Sequence, residues 1–374
     1  MRIGVLASGG GTNLQSIIDA CSNGGISGEV ALVISNNSTA GALERAKKAG
    51  IATLHLSTVT HPEPAVLDRA VLEALTESGV ELIALAGYMK KLGPMTLRAY
   101  RNKVLNIHPA LLPGFGGQGM YGMEVHRAVI ASGTKMTGPT VHLVTDAYDE
   151  GPILSQEEVP VRPEDTPESL QRRVLEVEHR LYPATISAFD RGIIAVYEGA
   201  LDTVIRPLCI TEDLDRAVTV IRTAFTTPAK QFHITDENCP SHPSFADRTS
   251  VLEITEKGGV IFGAYRNSVM TGCVAIEPSR ERRDTWHLEK LAVPPDNRLT
   301  GIGSLLLDHA CRAIRAYGGK SISAALIDAD GALKSWYKRR RFTETGTRNF
   351  DHLPFTVCFM SKDTRLSGGK NERH

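Results

Sequence analysis

The chain has 374 residues, a length that suggests two or three domains. Its 42 basic and 42 acidic residues cancel, which excludes a global electrostatic footprint for nucleic acid, and no apolar run is long enough to span a bilayer. Six cysteines lie scattered, with no CxxC pair and no Cys/His cluster, so neither a metal site nor a disulfide framework is expected, and reduced thiols in a cytoplasmic protein are.

Apart from Arg2, the first seven residues are apolar but run straight into Ser8 and three glycines. A signal peptide would have a longer apolar core, so this segment reads as a first strand. After the glycine loop at 8–13, Leu14, Ile17, Ile18 and Cys21 recur at helical spacing, with Thr12 or Asn13 placed to cap the helix. Strand, glycine loop and helix together make an anion site: Gly10, Gly11, Thr12 and Asn13 present N–H groups at the positive end of a helix dipole. The pattern is neither GxGxxG nor a Walker loop, and it reads either as a phosphate grip or as an ordinary tight turn. Strands at 30–35, 52–56, 82–86 and 104–107 then alternate with helices at 42–48 and 66–77. That alternation predicts an α/β, Rossmann-like domain with a mostly parallel sheet covered on both faces. In such sheets the ligand lies beyond the carboxyl ends of the strands. The glycine loop, the loop at 87–92 and the pair Asn106/His108 all follow strand ends, so one cleft should hold them.

Asn106 and His108 are separated by one residue on a strand, so their side chains share a face. Pro109 ends the ladder because it has no N–H to donate. Asp149 can supply a carboxylate. Amide, imidazole and carboxylate together suit acyl transfer to an amine: the amide holds a developing oxyanion, the imidazole shares its charge, and the carboxylate moves or positions protons. Taken alone, an Asn-x-His at a strand end is also ordinary turn chemistry.

The stretch from Leu105 to Pro113 resembles the signature of glycinamide ribonucleotide formyltransferases. So do Gly11 to Asn13, Gly138 to His142, Asp149 to Ile153 and Glu178 to Pro183, over roughly residues 1–200. The resemblance implies transfer of a formyl group from 10-formyltetrahydrofolate to the amine of glycinamide ribonucleotide, a step of purine biosynthesis. It implies that Asn106 and His108 stabilise the reacting centre, that Asp149 relays protons, and that Gly10, Gly11, Thr12 and Asn13 hold the phosphate. Glu178 would bind ribose hydroxyls. Tyr88, Met89, Lys90 and Leu92 would line the folate pocket, with Val144 and Asp146 closing its far side. By position alone Glu178 would sit on a solvated helix surface, and His142 is either a supporting group or a core histidine. Lys90 stands where relatives often have Arg. The glycine-rich loop at 114–122 matches an insertion seen in related members and reads as a mobile lid or a passive surface loop.

In the second half, a helix is expected from about 209 to 225. Strands at 260–265 and 269–276 are joined by a turn at 266–268, and a further strand covers 286–293. The segment Arg298 to Gly303 then leads into a helix at 304–316, followed by a strand at 320–326, a helix near 332–340 and a strand at 355–361. Small residues at a helix start expose successive N–H groups, a cradle that suits a pyrophosphate. With Leu288 to Val293 before it, and Lys334 to Lys338 followed by Phe342, this half resembles the GNAT N-acetyltransferases, an α+β fold, over 205–362. That resemblance implies acetyl-CoA, with its pyrophosphate at Arg298, Gly301 and Gly303 and its pantetheine arm along Leu291 and Val293. Tyr337 would protonate the departing thiolate. Glu289 would be a general base, or else a structural strand residue. Arg341 stands where many relatives have Gly. The expected organisation is therefore a formyltransferase domain at 1–200, a GNAT domain at 205–362 and a disordered tail at 363–374, acting on small molecules as a bifunctional enzyme. The alternative is a formyltransferase for another phosphorylated amine whose GNAT domain is an acyl-CoA sensor or scaffold. A homodimer is one option for its assembly.

Overall fold

The computed structural model describes residues 1–199 and 202–365. It divides into two units, Met1–Asp190 and Arg191–His374. Among the described residues no helix is long and apolar enough to cross a membrane, and no group of side chains is arranged to hold a metal ion.

The first unit alternates strands and helices: β1 Arg2–Leu6, α1 Thr12–Ser22, β2 Glu29–Ser35, α2 Gly41–Lys48, β3 Ala52–His55, α3 Pro64–Glu77, β4 Leu82–Leu85, α4 Pro94–Ala99 and β5 Val104–His108. It continues through α5 Met123–Ser132, β6 Met136–Thr137, β7 Thr140–Leu143, β8 Ile153–Gln156, β9 Val159–Pro160 and α6 Pro167–Asp190. Seven strands form one sheet in the order β3-β2-β1-β4-β5-β7-β8. β1 to β5 pair in parallel, and β7 and β8 join antiparallel. The parallel strands read as near-continuous apolar runs because both their faces are covered. Leu82, Ile83, Ala84 and Leu85 of β4 are all buried. The order reverses beside β1, and the chain crosses there from one side of the sheet to the other, which opens a crevice at the strand ends. Tyr182 of α6 is fully buried, and its hydroxyl donates to the carbonyls of Leu85 and Leu105 at 3.1 and 2.8 Å. That contact ties the longest helix of this unit to the two strands that deliver the site.

The second unit comprises β10 Ala195–Tyr197, β11 Thr203–Pro207, α7 Ile210–Gln231, α8 Arg248–Glu256, β12 Val260–Arg266, β13 Val269–Pro278 and β14 Thr285–Ala292. It is completed by α9 Ile302–Ala316, β15 Ser321–Ile327, α10 Gly331–Arg339, β16 Thr343–Arg348 and β17 Val357–Asp363. Its eight strands run in the order β10-β11-β12-β13-β14-β15-β17-β16, antiparallel except for β14 beside β15. Between β12 and β13, Asn267 and Ser268 both take positive φ (48° and 62°), the backbone that a tight hairpin requires. β14 and β15 pair only as far as Leu288 opposite Ala324, and both strands then continue without pairing to each other. The two strands therefore part in mid-sheet.

Three expectations change. Residues 191–199 do not close the first domain: β10 pairs with β11, Ala195 opposite Ile205, and the buried His309 of α9 donates from Nε2 to the Ile193 carbonyl at 3.1 Å. The boundary therefore lies at 190 rather than 200. At the other end, Asp363 still belongs to β17 and Thr364 is fully buried, so the chain is ordered past 362, while residues 366–374 of the expected tail lie outside the described residues. Third, α1 is capped by neither Thr12 nor Asn13. Its N-cap is Gly11, in the left-handed conformation at φ 74°, without a side-chain cap.

Arg341 holds the left-handed conformation (φ 66°) that a glycine would adopt freely, and its side chain is exposed. Arg341→Gly is expected to raise stability by about 1 kcal/mol, since that backbone costs a side-chain-bearing residue about 1–2 kcal/mol. A shift of the denaturant midpoint at constant slope measures it.

Candidate active sites

In the first unit, a cleft of about 630 Å³ opens at the ends of β1, β4 and β5. The glycine loop, Tyr88 to Leu92, Asn106 and His108, Asp149, Val144 and Glu178 all line it. Every first-unit site residue expected from sequence is there except Asp146, which is exposed on the turn beyond β7 and does not line the cleft. Strand alternation does not extend past Leu143, so facing could not be read at position 146.

β5 carries Asn106 and His108 on one face, and β7 runs antiparallel beside it with His142 directly opposite Asn106. The Asn106 amide lies 3.0 Å from His142 Nε2. His142 Nδ1 is 2.8 Å from the Leu143 carbonyl, which can only accept, so the neutral ring carries its proton on Nδ1 and takes the Asn106 N–H at Nε2. His142 thus fixes the orientation of the Asn106 amide. Sequence reasoning left this role undecided, because only the register of β5 against β7 makes the pair adjacent.

Asp149 stands between the two imidazoles. Its carboxylate oxygens lie 3.6 Å from His108 Nδ1 and 3.5 Å from His142 Nε2, and Oδ2 accepts the Gly117 N–H at 2.9 Å. Burial pushes the Asp149 carboxyl up, but the neighbouring imidazoles of His142 and His108 and the Gly117 N–H outweigh it and hold it below the usual aspartate range. Burial also drives the pKa of His108 below its ordinary 6.5, against the pull of Asp149 and the Phe115 carbonyl. A neutral imidazole therefore faces an ionised carboxylate. His126 on α5 also lines the cleft, 2% exposed, and burial and the nearby His108 lower it to about 4.

On the opposite wall, Glu178 is only 7% exposed, not a solvated surface residue, and its Oε2 accepts the Asn13 amide at 2.5 Å. This explains why Asn13 does not cap α1: its side chain reaches across to α6 instead. Burial pushes Glu178 up to about 7, with the Asn13 hydrogen bond opposing.

In the second unit, Gly301 is the left-handed N-cap of α9 (φ 89°), and a Cβ there would project into open space. Gly303 is one residue into the helix, packed toward Trp336. Arg298 is turned away from this cradle: its Nε and Nη2 donate to the carbonyls of Val293 and Ala224 at 3.2 and 2.7 Å, so its guanidinium holds the loop. Leu291 and Glu289 lie on β14 beyond its last pair with β15, and Val293 follows the strand end. Burial raises the Glu289 carboxyl. Tyr337 is buried edge-on against Trp336 and Phe342, and burial raises its hydroxyl.

A formyl transferase family model matches residues 1–186. The phosphoribosylglycinamide formyltransferase of Escherichia coli (strain K12) is 40% identical over 200 residues, 53% of this chain and 92% of that protein. This chain belongs to the formyl transferase family. The chloroplastic phosphoribosylglycinamide formyltransferase of Arabidopsis thaliana is 41% identical over 188 residues, and there the chain spans 64% of the relative's length. Among solved structures, glycinamide ribonucleotide transformylase 1 from Symbiobacterium toebii aligns at 47% identity with a TM-score of 0.50, covering 53% of this formyl transferase chain and 91% of that one. An acetyltransferase (GNAT) family model matches residues 225–342, so the same chain also carries a GNAT domain.

Glu178 allows a test of this geometry without substrate. Its folded pKa, about 7, lies above the ordinary 4.5. The folded state therefore keeps a proton that the unfolded state releases, and stability falls as pH rises from 4.5 through 7. Glu178→Gln, which keeps an acceptor for Asn13, is expected to be more stable than the parent by about 1–3 kcal/mol at pH 8 and no more stable at pH 4. Urea denaturation at the two pH values reads the difference.

Proposed function

We propose that the first unit transfers a formyl group from 10-formyltetrahydrofolate to the amine of glycinamide ribonucleotide, a reaction of purine biosynthesis. The observation that carries this reading is the juxtaposition, in one cleft, of Asn106, His108 and Asp149 with the glycine loop and Glu178. Gly10, Gly11, Thr12 and Asn13 hold the phosphate through backbone N–H groups at the start of α1. Glu178 accepts from ribose hydroxyls. Met89, Leu92 and Val144 give the folate an apolar wall, and Tyr88 and Lys90 border it. The Asn106 amide, oriented by His142, donates to the oxyanion that develops on the formyl oxygen, and His108 shares its charge. Asp149, held ionised, helps move the proton from the attacking amine toward the departing folate nitrogen. With all six cysteines free, we assign the reaction to the cytoplasm.

For the second unit we propose acetyl transfer from acetyl-CoA to an amine. The cradle at Gly301 and Gly303 has no side chain to block a pyrophosphate, and the parting of β14 from β15 leaves backbone on β14 for a pantetheine arm. When bound, acetyl-CoA supplies the activated acyl carbon. Glu289 would take the amine proton, and Tyr337 would return one to the thiolate.

Turnover of glycinamide ribonucleotide with 10-formyltetrahydrofolate tests the first half. His108→Ala or Asp149→Ala should lower kcat by about 10²–10⁴-fold in a folded protein. Because His108 is depressed, the acid limb of the parent's profile should fall below pH 6.5. Unchanged turnover in either variant would sink the mechanism. Calorimetry with acetyl-CoA tests the second half: Gly301→Val, forced into a backbone that β-branched residues avoid, should weaken binding by about tenfold or more.

A further inference from the structure

We propose that three consecutive positions of the glycine-rich loop, Phe115, Gly116 and Gly117, position His108 and Asp149 through the loop backbone and decide which imidazole nitrogen receives a proton. The inference rests on the formyl-transfer reading of the cleft.

His108 Nε2 lies 2.8 Å from the Phe115 carbonyl oxygen. A carbonyl only accepts, so Nε2 carries the hydrogen and the neutral ring leaves Nδ1 bare. Nδ1 is the nitrogen that faces Asp149, 3.6 Å from Oδ2. An arriving proton therefore lands on Nδ1, beside an ionised carboxylate. Without the Phe115 carbonyl the opposite tautomer would be favoured, with Nδ1–H pointing at Asp149 and no basic nitrogen toward it. The same carboxylate oxygen accepts the Gly117 N–H at 2.9 Å, so one short stretch of loop holds both partners.

Each of the three residues suits its part. Phe115 adopts the left-handed backbone (φ 55°), which is unfavourable for an aromatic residue, and its side chain packs against the core cluster of Ala110, Val125 and Val129. That packing offsets the local backbone cost and keeps the carbonyl aimed at His108. At Gly116 a Cβ would come within 2.6 Å of Leu112 Cδ2 and 3.1 Å of Asp149 Cβ, so any side chain there turns Leu112 aside and presses Asp149 back from the loop. Gly117 (φ 98°) turns its N–H onto Asp149. A passive surface loop would have no reason to commit two backbone groups to a buried imidazole and its partner.

The proton accounting is simple. As the amine nitrogen bonds to the formyl carbon, its proton passes with the help of Asp149 to Nδ1 of His108, and the imidazolium so formed shares the charge of the oxyanion. As the bond from that carbon to the folate nitrogen breaks, the proton goes to the folate nitrogen, and the protein ends with the charge it began with.

Nitrogen-resolved NMR of the histidine side chains in the full-length protein tests the claim, with His108→Gln assigning the signal by its loss. The expected result is the Nε2–H tautomer of His108 at neutral pH; the Nδ1–H tautomer overturns the proposal. Gly116→Ala provides the kinetic arm. It should cost about 10²-fold in kcat, leave KM for glycinamide ribonucleotide within about twofold, and mix the two tautomers. Unchanged kcat and an unchanged tautomer overturn the proposal, and if that variant fails to fold, the tautomer of the parent protein decides alone. The readout is separable from the functional reading, because the tautomer can be measured whether or not the parent protein formylates.

Discussion

The antiparallel register of β7 on β5 is the constraint on which the first unit's chemistry depends. Asn106 meets His142 and His108 meets Thr140 only in that register, and a slip of one residue would turn both functional side chains to the other face of the sheet. The register is itself held by a buried polar net. Thr140 donates to the Ala110 carbonyl and accepts from the Leu112 N–H, while Gln156 of β8 donates to Thr140 and to the Leu112 carbonyl. Such groups are costly to bury unpaired, so their mutual satisfaction specifies one alignment. The strand ends, the loop after them and the carboxylate of Asp149 follow from it.

Electrostatics in the cleft follow from burial acting on different kinds of group. It favours the neutral imidazole at His108 and His126 and would favour neutral carboxyls at Asp149 and Glu178. Asp149 escapes because two imidazoles and a backbone N–H surround it, whereas Glu178 has a single amide and is pushed up to about 7. Two carboxyls in one cleft therefore behave differently, one a standing anion for proton movement and the other able to lose its proton as it meets a ligand.

The second unit solves a different problem with the same materials. There the sheet is interrupted rather than completed: β14 and β15 part after Leu288 and Ala324, and the following turn puts a left-handed glycine at the start of a 15-residue helix. Unpaired strand backbone and a bare helix start are liabilities unless something uses them. Arg298 does not compete for the space, because its guanidinium donates to two backbone carbonyls.

Sequence alone determined what is local or periodic. The alternating apolar runs defined the parallel sheet, two-residue spacing put Asn106 and His108 on one face, and the two glycine-rich turns marked both helix starts. These are legible because they depend on residues a few positions apart and on backbone rules that hold in any fold. Tertiary structure decided what depends on partners far along the chain. His142 became the residue that orients Asn106, Asn13 gave up the cap of α1 for Glu178, Asp146 fell outside the cleft, and Ala195–Tyr197 joined the second sheet rather than the first. Each of those outcomes turns on a register, a helix crossing or a strand pairing chosen by the burial of the whole unit, and no short stretch of sequence carries that information.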